Sequence, residues 1–187
     1  MYECSGSKTN CTTVANFYNA AVKSMGNMKQ GSSEYKATAA AVKYLGKPGE
    51  KNSVTVTVKN LAAGVNGGAD KGGKIQIDVR QIKSFGALLK ETGRDSNKTT
   101  AEVQNAVGAG VLTHEATHEV DYLNPNIGYP HSEAADRALE VHAYTVEKGV
   151  GAALGMDETG LSTQHEFDSA VNGSVSNFCS DPRNGCQ

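Results

Sequence analysis

Leu112-Thr113-His114-Glu115-Ala116-Thr117-His118 is the stretch on which the reading of this chain turns. On an α-helix, residues four apart lie one turn apart on the same face. His114 and His118 therefore direct ring nitrogens at one point, where a metal ion is held. Glu115 lies one residue round from the first histidine, where its carboxylate reaches a water beside the ion without ligating it. Outward from this segment, Val103, Val107 and Val111 continue the histidine stripe, while Ala106, Leu112, Ala116, Val120 and Leu123 cover much of the remaining surface. A helix that is apolar all round is a buried one. Two buried histidines need partners, and a metal supplies one. Thr99 stands three residues before Glu102, the signature of a capping box, and Asn124-Pro125-Asn126 is a stop. The spacing thus predicts a helix over 101–123.

A third ligand has to come from another segment. Past a loop through Gly128-Tyr129-Pro130, the pattern predicts a second long helix over 132–154. It carries Glu133 and Glu140 on a face shared with Arg137 and Tyr144. Glu140 sits among Ala138, Leu139, Val141 and Ala143, where a carboxylate is costly unless it is paired. Glu133 lies near the helix start, where the dipole favours a solvated acid. Glu140 is the preferred ligand, with Glu133 as the alternative.

A Gly at 121 with a His at 124 would indicate a metzincin, but Asp121 and Asn124 stand there, and the Gly-Thr then Asp continuation of the aspzincins is also missing. Leu112–His118 followed by Glu140-Val141-His142-Ala143-Tyr144 resembles the small gluzincin-like metallopeptidase domains at the C-termini of bacterial polymorphic toxins and secreted effectors. The resemblance covers residues 100–155. It implies a zincin-like fold and Zn²⁺ held by His114, His118 and Glu140. It also implies hydrolysis of a protein or peptide substrate, with Glu115 taking the proton of the attacking water. A precursor, or a cognate immunity or inhibitor protein, is the further partner implied, and a secreted or delivered location goes with it. Asp121 is a candidate carboxylate for orienting a ligand imidazole. His142, Tyr144, Tyr129, His131 and His165 are candidate donors to the oxyanion of the reaction. Two other classes stay open: a zinc amidase acting on peptidoglycan, and a non-catalytic interaction module in which the motif is fortuitous.

The remaining chain reads as α+β, a small mixed or antiparallel sheet packed on helices. Val14, Phe17, Tyr18, Ala21 and Val22 predict a helix over 12–25, and a second covers 33–45, stopped by Gly46-Lys47-Pro48-Gly49. Val54, Val56 and Val58 alternate with Thr55 and Thr57 as a half-buried strand. Ile75, Ile77 and Val79 repeat the alternation, so 74–82 is the strand expected to border the cleft and pair with an extended substrate. Between them the glycine-rich residues 62–73 read as a flexible connection. A shorter helix over 163–172 precedes the tail. Residues 1–187 are expected to form one domain, with 1–50 a helical N-terminal part and 51–187 holding the sheet, the catalytic helices and a cysteine-closed tail.

The four cysteines form two equally spaced pairs, and local loops Cys4–Cys11 and Cys179–Cys186 are expected. Cross-pairing that staples the termini, or four free thiols, are the alternatives. Disulfides would point to an oxidising compartment, although Met1-Tyr2-Glu3-Cys4-Ser5-Gly6 lacks the basic start and apolar run of a secretory signal. The net charge of −2, with scattered Lys and Arg, argues against a nucleic-acid surface or a polybasic membrane patch. No apolar run approaches the roughly 20 residues needed to cross a bilayer.

Overall fold

The computed structural model describes residues 2–46, 51–95, 97–156, 161, 163–181 and 184. Their order is β1 (Glu3–Ser5), α1 (Lys8–Asn27), α2 (Ser33–Leu45), β2 (Thr55–Val58), β3 (Gly67–Asp70), β4 (Lys74–Ile77), α3 (Val79–Glu91), α4 (Thr100–Leu123), α5 (Glu133–Ala153) and α6 (Gln164–Cys179). The fold is α+β: a four-stranded sheet in the order β1-β2-β4-β3 packs against helices, with α4 between them.

α4 begins at the expected capping box. The Thr99 hydroxyl accepts from the Glu102 amide at 3.2 Å, and Glu102 Oε2 accepts from the Thr99 amide at 2.8 Å. The helix packs on α1, α2, α3, α5 and β3. Close approach to α1 depends on Gly108, because a Cβ there would overlap the Phe17 ring. Phe17, Leu45, Val56, Ile75, Ile77, Ile82 and Leu112 are fully buried in the main core. Removing that apolar surface from water, at roughly 25 cal/mol per Å², is the main term fixing α4 in place.

The sheet differs from expectation in two ways that matter for the cleft. First, within a mixed sheet in which β2 and β4 pair in parallel, Val56 opposite Ile75, residues 67–70, expected within a flexible connection, form β3. This strand pairs antiparallel with β4, Gly67 opposite Ile77 and Asp70 opposite Lys74. β3 takes the edge that 74–82 was expected to occupy, and β4 is internal. Second, the strand ends at Ile77. Asp78 caps a helix there, accepting from the Gln81 amide at 3.0 Å, so Val79 belongs to α3. Ile82 and Leu89, seven apart, then face the core.

α6 runs to Cys179, well beyond 172, from a Thr163–Glu166 capping box. Cys4 and Cys11 form a disulfide that ties β1 to α1. Cys186 and residues 47–49 lie outside the described residues. Among the described residues, no helix is long and apolar enough to cross a membrane.

Candidate metal centre

α4 and α5 lie side by side, and their facing surfaces bring His114, His118 and Glu140 together. One ligand atom of each lies within 4.8 Å of the others. Nε2 of His114 and Nε2 of His118 are 3.1 Å apart. Glu140 Oε2 is 3.4 Å from His114 Nε2, and Oε1 is 3.5 Å from His118 Nε2. Ligand atoms on a tetrahedral zinc, at about 2.0–2.1 Å from the metal, stand about 3.3 Å apart. Each imidazole nitrogen thus stands about that far from its neighbour and from the Glu140 oxygen given for it. Glu140 Oε2 and His118 Nδ1 are buried without hydrogen-bond partners, and a buried carboxylate with an unused oxygen is expensive. The donor set therefore fits a divalent metal such as Zn²⁺.

Burial opposes ionisation of Glu140, but the two imidazoles beside it hold its carboxyl down at about 2. Glu133, the alternative ligand, is exposed and paired with Arg137 at 3.6 Å. Glu115 differs in kind from Glu140. It is buried beside the cluster and is absent from the group of ligating atoms. Burial pushes its carboxyl up to about 7, with His114 and His118 pulling it back. A carboxyl near neutrality, adjacent to the ligands, is suited to accept a proton. Gly67 of β3 closes over it: a Cβ at that position would stand 2.5 Å from Glu115 Oε1.

These residues line a cavity of about 280 Å³. Its floor is α4 and α5, one wall is Gly64, Val65 and Asn66 with β3 as far as Ala69, and the other is α6 through Ser174, Asn177 and Phe178. Among the described residues, neither Lys nor Arg lines it, whereas Glu115, Asp136, Glu140 and Glu147 all do.

The supporting residues are placed unevenly. Asp121 does not reach a ligand imidazole. Its Oδ2 lies 2.8 Å from Nδ1 of His142, and neither side chain lines the cavity. The reason is rotational: three residues past His118, Asp121 turns toward the flank of α5 that carries the half-exposed His142. Tyr144 does line the cavity. Its ring stands edge-on to His114 at 4.4 Å, and its hydroxyl shares a 2.9 Å hydrogen bond with Ser174 Oγ. Tyr129 lies behind Tyr122, with ring centroids 5.0 Å apart, and His131 lies behind Tyr129. Neither they nor His165 reaches the cavity wall.

Sequence reasoning missed three residues. Glu147 Oε2 stands 3.0 Å from His114 Nδ1. Asp136 is buried at the cavity wall, its carboxyl pushed up to about 7 by burial and then by Glu140. Tyr122, one turn past His118, stacks near its ring with 6.0 Å between centroids. Asp136 and Glu147 are four before and seven after Glu140, helical spacings that place all three on one face. That was the available signal.

The arrangement is zincin-like, with an HExxH-type cluster on one helix and a third ligand on the next. It is consistent with a gluzincin-like metallopeptidase fold and supports a zinc-dependent hydrolase activity. Compared with known proteins, the chain matches no family model, no curated protein and no solved structure.

Proposed function

We propose that this chain is a metallopeptidase that hydrolyses peptide bonds with Zn²⁺ held by His114, His118 and Glu140. The observation that carries this reading is the convergence of two imidazole nitrogens 3.1 Å apart on one carboxylate, whose two oxygens stand 3.4 and 3.5 Å from them, with Glu115 beside the cluster. Bound there, the metal supplies Lewis acidity, which polarises a carbonyl and makes a water acidic enough to react near neutral pH. Glu115 accepts the proton of the attacking water on its carboxylate and later delivers it to the leaving amine. Tyr144, whose phenol burial keeps protonated, is the donor to the oxyanion. Glu147 holds the His114 ring by its far nitrogen.

An extended substrate pairs with the free edge of β3, which runs along the cavity past Glu115. Main-chain pairing to a sheet edge supplies affinity without demanding one sequence. The Cys4–Cys11 bridge favours an oxidising destination, in keeping with a secreted or delivered effector acting as one domain. A precursor segment or a dedicated inhibitor is the partner such an enzyme needs.

The test is Glu115→Gln, assayed on casein and on cell-wall sacculi beside the wild-type protein. Wild type cleaves casein, and the variant loses at least about a hundredfold in rate while keeping its zinc. Cleavage of sacculi but not casein would replace the peptidase reading with an amidase. Normal cleavage by the variant would end both.

A further inference from the structure

Glu119 directly follows the second histidine of the motif, yet it turns away from the cavity. It is 1% exposed, and its Oε2 accepts two hydrogen bonds, from the Tyr44 hydroxyl at 2.8 Å and from the Gly73 amide at 2.8 Å. Gly73 ends the turn between β3 and β4, where Gly72 and Gly73 adopt φ of +107° and +85°. That left-handed backbone turns the Gly73 amide inward at the carboxylate. Glu119 Oε1 is buried without a hydrogen-bond partner among the described residues. An apolar residue would fill the same space at less cost, so the carboxylate is there for what it holds.

What it holds is the edge of the cleft. Glu115 lies one turn earlier on α4, directly beneath Gly67 at the start of β3. Glu119 grips the turn just past Asp70 at the strand's other end. β3 therefore lies along a single turn of α4, with one carboxylate under each end. Gly67, Gly68, Ala69 and Asp70 bring little apolar mass of their own to pin the strand. Among the described residues its only strand neighbour is β4.

We propose that Glu119 is a positioning residue, tethering the β3–β4 hairpin so that the free edge of β3 stays in register with Glu115 and the metal cluster. Its effect on substrate rests on the peptidase reading above, whereas the tether itself does not. The test compares the whole zinc-loaded 187-residue wild-type chain with Glu119→Gln and Tyr44→Phe. Amide hydrogen exchange over residues 67–73 should accelerate at least about tenfold in Glu119→Gln, and by less in Tyr44→Phe, which removes one donor and keeps the carboxylate. Zinc stoichiometry and exchange along α4 should stay at wild-type values. With casein, KM should rise about fivefold while kcat stays within about twofold. Wild-type exchange of the hairpin in both variants overturns the proposal, as does a fall in kcat at unchanged KM. If Glu119→Gln does not fold, Tyr44→Phe carries both readouts. A wild-type protein that binds no zinc or leaves casein intact refutes the peptidase reading, and the exchange measurement still decides the tether.

Discussion

The Glu147 carboxylate stands 3.0 Å from Nδ1 of His114, on the opposite side of the ring from the nitrogen that faces Glu140. One face of α5 thus supplies both a ligand and a carboxylate within ion-pair distance of another ligand's ring. A carboxylate on the far nitrogen fixes the tautomer and makes the near nitrogen more basic. Glu147→Gln keeps the shape and removes the charge. Its zinc affinity, measured by chelator competition, should fall about 10- to 100-fold. An unchanged affinity would mean that the contact is incidental.

Gly108 sets how closely the motif helix approaches α1. Gly108→Ala places a methyl group against the buried Phe17 ring. Overpacking of this kind costs about 1–3 kcal/mol. Denaturant unfolding should show a lower midpoint at an unchanged slope, and a wild-type midpoint would show that the α1–α4 interface yields without cost.

Asp78 couples acid stability to the start of α3. Burial by itself would raise its carboxyl. The Leu61 and Gln81 amides, the Gln81 side chain and Arg80 outweigh that and bring it from 3.8 to about 2. A carboxyl lowered on folding contributes stability that is present above its unfolded value near 3.8 and lost as pH falls through about 2. Asp78→Asn should therefore be less stable than wild type by about 2 kcal/mol at neutral pH. The gap should close near pH 2 (about the folded value) in urea titrations run across the acid range. A gap independent of pH would mean that the charge plays no part.

The motif helix was legible because its signals are local: i,i+4 histidines, an apolar surface and a capping box. Glu140 was legible for an energetic reason, since a carboxylate amid Leu139, Val141 and Ala143 demands a partner and one at a helix start does not. β3 was illegible because Gly67-Gly68-Ala69-Asp70 has neither alternation nor β-propensity, and its strand state comes from pairing with β4. α3 was hidden by Val79, which continues the alternation of Ile75 and Ile77 for one residue after the chain has turned into a helix. The placement of Asp121 against His142 and the omission of Glu147 share a cause. Helical spacing places each residue on a face, but the rotation of α5 against α4 decides what each one meets.

The most direct test is zinc titration of the wild-type chain beside Glu140→Ala and Glu133→Ala. The account predicts stoichiometric zinc in wild type and in Glu133→Ala, with binding lost or weakened by orders of magnitude in Glu140→Ala. Equal zinc binding by wild type and Glu140→Ala would contradict it.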